Sequence, residues 1–258
     1  MPLLETKGLS INFGGLWAID NVDFSINPGE IIGLIGPNGS GKTTFLNIIS
    51  GIYRASRGKA FLSGEDITGL RPFEIFQRGI SRTYQSSRLC WGLSVADNLL
   101  SGMYLKQKSS LLQSIFSKKA NDEIFDCLQE CMNMISFFNP GLVERRYDLA
   151  RNIPHIDRRR IEITRALLGR PKVLLLDEPT AGLNDQETTA MMNDIRKIKQ
   201  KMQDIAIIII EHDMKVMQEV PDHIVVFNAG MKIAEGVYED VIQDQGVINA
   251  YIGGAKHD

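Results

Sequence analysis

The residues best suited to chemistry begin with a glycine-rich stretch, Gly36-Pro-Asn-Gly-Ser-Gly-Lys-Thr43, which fits the spacing G-x-x-x-x-G-K-[ST]. Its glycines allow a tight turn that brings backbone N–H groups against phosphate oxygens with no Cβ in the way. A helix that starts near Lys42 would aim its N-terminal dipole at the same negative charge. The lysine ammonium suits β- and γ-phosphates, and the Thr43 hydroxyl suits Mg²⁺. We predict a phosphate site with the contacts Gly36, Asn38, Gly39, Ser40, Gly41, Lys42, Thr43 and Thr44.

Two neighbouring carboxylates follow an apolar run near residue 175, in the order Leu-Leu-Leu-Asp177-Glu178-Pro. Ligands of open α/β sheets lie beyond the carboxyl ends of the strands, so both side chains are expected at the nucleotide. Asp177 suits the Mg²⁺ shell, and Glu178 could polarise a water for attack on the γ-phosphorus. A plain surface turn is the alternative. The phosphate loop earlier in the same chain favours the catalytic interpretation.

A second apolar run, residues 205–210, ends in Glu211 and His212. A lone histidine most often has no role in binding or catalysis. This one follows a strand whose end should face the same crevice, so we predict that His212 contacts the γ-phosphate or the attacking water.

The elements that must carry these residues alternate between strand and helix, which favours an α/β fold with a largely parallel sheet. Short continuous apolar runs are typical of strands that are covered on both faces. Such runs occur at 30–36, 172–177 and 205–210. Helical spacing then links Met191, Ile195, Ile198 and Met202.

The middle of the chain has a different pattern, because residues from about 94 to 168 show helical periodicity without a strand-like run. One predicted stripe consists of Ile124, Leu128, Met132 and Ile135. These side chains are expected to form packing contacts rather than a cofactor site. The pattern predicts a helical insertion within the α/β core.

Composition excludes several classes of protein. The chain has 258 residues, 43% of them hydrophobic, which is enough for a core, and a formal net charge of −2, which argues against nucleic-acid binding. The basic triplet Arg158–Arg160 is expected on a solvated helix face or a subunit contact, since no aromatic residues are interleaved with it.

The start of the chain lacks a signal-peptide pattern, and no apolar run is long enough to cross a bilayer. Cys90, Cys127 and Cys131 lack metal-ligand spacing and are expected as reduced thiols, the last two of them buried.

Together with further motifs, these residues give the chain a resemblance to ATPase subunits of ABC transporters over nearly its whole length. Phe13, in INFGG, falls where that family stacks an aromatic ring on adenine. Gln85, in SRTYQSSRL, matches the glutamine that joins the metal shell, and His212 matches the switch histidine. The segment Ala181–Asn184 occupies the D-loop, with asparagine where many members have aspartate. ATP and Mg²⁺ are the cofactors that the resemblance implies.

The family resemblance also implies a fold and its division. That fold is a P-loop NTPase (RecA-like) core with a mostly parallel sheet, an N-terminal antiparallel β part and an inserted helical sub-domain. Residues 1–86 and 169–258 are expected to form the core, and residues 87–168 the helical sub-domain, within a single ABC ATPase domain spanning 1–258.

Finer features resemble one branch, the LivG-type ATPases of branched-chain amino acid importers. They are FGGLWAIDNV, SVADNLL, RRIEITRALL, DEPTAGLN, IIEHDM, the insertion LLQSIFSKK (111–119) and the ending VINAYIGG. The resemblance implies uptake of branched-chain or other hydrophobic amino acids, transmembrane permease subunits, an indirect solute-binding protein and a location on the cytoplasmic face of the inner membrane. LptB-type lipopolysaccharide export ATPases share some of these features and remain an alternative. Non-transport ABC ATPases of ribosomes or DNA usually carry paired domains, coiled coils or basic arms, which this sequence lacks.

One family motif is altered here. Aligned with the family, Ile153-Pro-His-Ile-Asp157 covers the Leu-Ser-Gly-Gly-Gln signature, which reaches the γ-phosphate from the opposite subunit. Pro154 lacks both the serine hydroxyl and a backbone N–H, and His155 and Ile156 carry side chains where glycines stand. The loss of such donors would slow hydrolysis by roughly 10²–10³ each.

The altered signature, beside an intact catalytic set, predicts a heterodimer with a different ATPase subunit, containing one active and one degenerate ATP site. Two alternatives stay open. The loop could be shifted, so that other N–H groups replace the glycine contact, or the chain could be a nucleotide-gated scaffold that does not hydrolyse ATP.

Overall fold

The computed structural model describes residues 1–103 and 118–254, so most of the insertion LLQSIFSKK lies outside the described residues. The chain forms two compact units. The first combines Met1–Arg82 with Lys172–Asp258, and the second is Thr83–Pro171.

The first unit contains the strands. They are β1 (Leu4–Phe13), β2 (Leu16–Ile26), β3 (Ile31–Ile35), β4 (Arg57–Leu62), β5 (Glu65–Asp66), β6 (Ile80–Arg82), β7 (Val173–Asp177), β8 (Ala206–Ile210), β9 (His223–Asn228) and β10 (Met231–Gly236). A six-stranded sheet has the order β10-β9-β3-β8-β7-β6. Its neighbours pair in parallel from β6 to β9, whereas β10 runs antiparallel to β9.

The three central strands β3, β7 and β8 are buried at every position. Their sequences are apolar except at Asp177, the last residue of β7, because a strand covered on both faces has few positions for a polar side chain. A second, four-stranded antiparallel sheet has the order β2-β1-β4-β5. The predicted α/β fold with an N-terminal antiparallel part is therefore confirmed.

The helices lie in both units. They are α1 (Lys42–Ile49), α2 (Pro72–Arg78), α3 (Val95–Leu100), α4 (Lys118–Ser136), α5 (Gly141–Glu144), α6 (His155–Leu168), α7 (Asp185–Lys201), α8 (Met214–Glu219), α9 (Tyr238–Val241) and α10 (Gln245–Gly254). In α7 the predicted apolar positions Met191, Ile195 and Ile198 are fully buried, and Met202 caps the end of that helix. In the described part of the chain, no helix has both the length and the apolar character that a membrane span requires.

The second unit packs α3, α4 and α6 around a separate core. On α4 the side chains of Cys127 and Cys131 are buried, whereas Cys90, outside that helix, is exposed. The predicted stripe is correct at Met132 and Ile135, which are buried, but wrong at Ile124, whose side chain is 42% exposed. Ile124 lies three residues before Cys127 and seven before Cys131, on the same face of α4, so its exposure depends on its position along the helix and not on the face it occupies.

Candidate functional site

The glycine-rich loop links the buried strand β3 to the first residue of α1. Gly36 has φ 143°, and a Cβ on it would lie 2.0 Å from the Phe227 carbonyl oxygen of β9. Gly41 caps α1 in the left-handed region with φ 105°, and a Cβ there would lie 2.6 Å from the Ala18 carbonyl oxygen. Only glycine fits both positions, so the close packing of β-strands around the loop determines its composition.

Lys42, the first residue of α1, is nearly buried inside this loop. Its side-chain Nζ donates hydrogen bonds to the carbonyl oxygens of Gly36 (2.7 Å) and Pro37 (3.1 Å). Burial lowers the pKa of Lys42, while the nearby negative charges of Glu178 and Asp177 oppose that shift. The ammonium group therefore lies where the loop and both carboxylates act on it. Thr43, the next residue, is exposed at the helix N-terminus.

Asp177 is the last residue of β7, and its carboxylate makes a buried ion pair that the sequence did not reveal. Arg82 Nη2 lies 2.6 Å from Asp177 Oδ2, and the two side chains are 4% and 5% exposed. Arg82 comes from the end of β6, the neighbour of β7 in the sheet. The metal-ligand candidate is therefore held by a permanently charged partner.

Glu178 directly follows β7 and has a strained backbone. Its φ of 49° lies in the left-handed region, a conformation that costs roughly 1–3 kcal/mol for a residue with a side chain. A hydrogen bond from its N–H to the Ile210 carbonyl oxygen (2.9 Å) holds this turn against the end of β8. The carboxylate Oε1 lies 3.1 Å from His212 Nε2. The two predicted catalytic side chains therefore meet, although they come from different strands.

Glu211, between β8 and His212, anchors the same turn and was not identified from the sequence. It is 4% exposed and accepts hydrogen bonds from the Thr180 backbone N–H (2.7 Å) and hydroxyl (2.5 Å). Burial raises the pKa of Glu211, while the hydrogen bonds from Thr180 oppose the shift. A carboxylate at the end of an apolar strand was the available signal, but its partner could not be inferred.

Phe13, the candidate base-stacking residue, is the last residue of β1 in the four-stranded antiparallel sheet. Its ring is 47% exposed and packs edge-to-face on Tyr53 at a centroid distance of 5.3 Å. An exposed ring braced by a second ring offers a flat apolar face for a purine.

Comparison with known proteins identifies the family of this chain. The ABC transporter family profile matches residues 19–181, more than half of the chain. The chain belongs to the ABC transporter family.

Relatives cover essentially the full chain. It is 35% identical to the high-affinity branched-chain amino acid transport ATP-binding protein BraF of Pseudomonas aeruginosa, with 98% of this chain and 99% of that protein covered. It is 36% identical to LivG, of the same description, from Escherichia coli strain K12, with the same coverage. A crystal structure of the ADP conformation of an ABC-transporter ATP-binding cassette matches with a TM-score of 0.84 at 33% identity, covering 98% of this chain and 99% of that one. The chain is therefore a nucleotide-binding ABC ATPase.

Gln85 of this ABC ATPase lies in the second unit and is exposed. Its backbone is tied to α6, because Arg159 donates to the carbonyl oxygens of Gln85 (2.9 Å) and Tyr84 (3.3 Å). Glu162 completes the connection, since it pairs with Arg159 at 3.2 Å and accepts the Arg88 backbone N–H at 2.8 Å. The loop that carries Gln85 and the helix that follows the altered signature are thus joined within one unit.

The altered signature, Ile153–Asp157, leads into α6. Ile153 is buried and Pro154 is the exposed N-cap residue of α6, without a side-chain cap. His155 and Ile156 are half-buried in the first turn. Asp157 points into its own unit, where its Oδ1 accepts hydrogen bonds from Asn139 and from Arg160, both at 2.9 Å.

The basic triplet differs from the expected solvated face. Arg159 is buried against Glu162, Arg160 pairs with Asp157, and Arg158 lies over the Trp91 ring at 5.2 Å. Intramolecular contacts therefore engage all three guanidinium groups. The D-loop asparagine also has a structural partner, since Asn184 is the N-cap of α7 and forms a capping box with Glu187.

Proposed function

We propose that this ABC ATPase hydrolyses ATP to drive an importer of branched-chain or other hydrophobic amino acids. The names and the 35–36% identity of full-length relatives support this substrate class. The proposal includes transmembrane permease subunits, a solute-binding protein that acts through them, and a position on the cytoplasmic face of the inner membrane. In it the first unit is the nucleotide-binding core and the second is the helical sub-domain.

The residues of the first unit suit Mg-ATP. Backbone N–H groups of the loop and the Lys42 ammonium would bind the phosphates, with Phe13 stacking on the base. Thr43 and Asp177 carry oxygen donors, which Mg²⁺ prefers, and the family resemblance assigns Gln85 to the same metal. The bound metal would neutralise charge on the phosphates. Each side chain assigned to the metal therefore offers it an oxygen atom.

Hydrolysis requires a proton acceptor, and Glu178 is the side chain assigned to it. Its backbone N–H is anchored by the hydrogen bond to the Ile210 carbonyl oxygen, and its carboxylate touches His212. In this role Glu178 accepts a proton from the attacking water while His212 holds the carboxylate and contacts the γ-phosphate. Their 3.1 Å separation supports joint action.

We further propose that the chain works in a head-to-tail pair with a different ATPase subunit. In such a pair each ATP site takes its phosphate loop from one subunit and its signature from the other. The observation that carries this proposal is Pro154 at the N-cap of α6, where it offers neither a hydroxyl nor an N–H. The site formed with this signature would hydrolyse slowly. The site formed with Lys42, Asp177, Glu178 and His212 would be active when the partner supplies an intact signature.

The test restores the missing donors in this chain. We expect the purified chain alone to hydrolyse ATP slowly, because both sites of a homodimer would contain the altered signature. The triple substitution Pro154→Ser, His155→Gly and Ile156→Gly should raise this rate by roughly 10²-fold. The same triple variant with Glu178→Gln is the control and should stay inactive. Fast cooperative hydrolysis by the unmodified chain alone would refute the asymmetric pair.

A further inference from the structure

Arg82 connects three elements around the predicted metal ligand. It ends β6, in register with Leu175 of β7, and its Nη2 donates to Asp177 Oδ2 at 2.6 Å. Its other terminal nitrogen, Nη1, donates to Asn47 Oδ1 at 2.7 Å and to Ser50 Oγ at 3.1 Å. Asn47 lies in α1, the helix that follows the phosphate loop, and Ser50 caps its end. The guanidinium group thus joins Asp177 to the phosphate-loop helix.

Burial makes this connection electrostatically important. The Arg82 and Asp177 side chains are only 4% and 5% exposed, so water stabilises neither charge well. A buried carboxylate without a fixed partner has no defined orientation, and the orientation of a ligand affects how tightly it binds a metal. Arginine remains charged at all accessible pH values and fixes a carboxylate by directed N–H donors.

We propose that Arg82 is a positioning residue for Asp177 that orients its carboxylate for the divalent cation of the nucleotide. This proposal rests on the assignment of Asp177 as a metal ligand in the proposed function. Arg82 acts through Asp177 and needs no contact with the cation itself. Partners of this kind behind metal ligands typically contribute 10–100-fold to metal affinity.

The contacts with Asn47 and Ser50 also couple Asp177 to the phosphate-loop helix. Because one guanidinium group binds both α1 and Asp177, a shift of the phosphate-loop helix would be transmitted to the metal ligand. A lysine at this position would keep the positive charge but could not donate in the same planar arrangement to both sides. Charge and geometry can therefore be separated by substitution.

The experiment measures metal binding rather than turnover. ATP is added to an excess of the full chain with Glu178→Gln, so that little ATP stays free to bind the metal, and Mn²⁺ is titrated while free Mn²⁺ is followed by electron paramagnetic resonance. Arg82→Met should weaken Mn²⁺ binding roughly 10-fold or more, and Arg82→Lys should weaken it less. ATP binding in excess EDTA should change less than about two-fold, since the phosphate loop needs no carboxylate to bind metal-free nucleotide. Arg78→Met, which removes an exposed charge from the same unit, is the matched control and should leave both measurements unchanged.

Two results would overturn the proposal. One is unchanged Mn²⁺ affinity in Arg82→Met, and the other is an equal loss of Mn²⁺ binding and metal-free ATP binding, which would indicate a general structural role. If Arg82→Met does not fold, Asn47→Ala removes one acceptor of the guanidinium group and should weaken Mn²⁺ binding in the same direction. Unchanged Mn²⁺ affinity in that variant would equally overturn the proposal.

Asp177→Asn separates this inference from the proposed function. If Asp177→Asn abolishes Mn²⁺ binding while the Arg82 variants bind normally, only the positioning role fails. If Asp177→Asn leaves Mn²⁺ binding intact, the metal-site assignment itself fails.

Discussion

Replacing Glu211 tests whether its buried carboxylate holds the turn that presents Glu178. In Glu211→Ala, the Thr180 N–H and hydroxyl lose acceptors at 2.7 and 2.5 Å inside the protein. An unsatisfied buried donor costs about 1–3 kcal/mol, so the two together should lower the free energy of unfolding by roughly 3 kcal/mol. For a chain of this size, that corresponds to a decrease in Tm of about 6–12 °C. ATP hydrolysis should fall as well, because the strained turn at Glu178 loses one anchor.

Glu211→Gln is the matched variant, since its amide oxygen can still accept from Thr180. At neutral pH it should unfold within about 1 kcal/mol of the unmodified chain. The pH dependence has a defined sign, because burial raises the pKa of Glu211 above its ordinary value of 4.5. Glu211 then contributes stability that is fully present below the unfolded-state pKa and is lost as the pH rises through the folded-state pKa.

Urea denaturation, followed by circular dichroism between pH 4 and 9, measures this effect. The difference in unfolding free energy between Glu211→Gln and the unmodified chain should shift in favour of the variant as the pH rises. Equal destabilisation by alanine and glutamine would contradict the hydrogen-bond argument. A pH dependence of the opposite sign would contradict the raised pKa.

Three further predictions concern the nucleotide loop and the D-loop. Gly36→Ala should destabilise the chain by roughly 3 kcal/mol or more in thermal unfolding, because its Cβ would lie 2.0 Å from the Phe227 carbonyl oxygen and its φ is 143°. Lys42→Ala should abolish measurable ATP binding by calorimetry while the fold is kept, and unaltered hydrolysis in the assembled complex would rule out its role. Asn184→Ala should lower the free energy of unfolding in urea by about 1 kcal/mol, because the α7 cap is lost. Asn184→Asp should leave that free energy nearly unchanged, because aspartate caps a helix equally well.

Local patterns in the sequence were sufficient for the framework of this fold. The runs that became β3, β7 and β8 are apolar at almost every position because both faces of each strand are covered. The spacing from Gly36 to Thr43 likewise predicted a loop between strand and helix, since short-range backbone geometry restricts which residues can form it. The order of strands along the chain also predicted that Asp177, Glu178 and His212 would follow strand ends.

Periodicity was less reliable where packing partners were unknown. Ile124 shares the face of α4 that carries Cys127 and Cys131, yet it is exposed, because burial also depends on which elements pack at each level of a helix. The basic triplet likewise suggested a solvated face, whereas Arg159 is buried against Glu162. A helix has several faces of comparable character here, and only the neighbouring elements select the buried one.

The tertiary structure alone decided which buried polar and charged groups meet. Arg82 and Asp177 are 95 residues apart in sequence, and Thr180 and Glu211 are 31 apart. Residue type gives no indication of such a pair, because an arginine or glutamate at a strand end could equally face solvent. Sheet order brings β6 beside β7 and β7 beside β8, and burial then requires each charge to find a partner. The sequence by itself determined which residues could do chemistry, and the strand order determined which buried groups hold them in place.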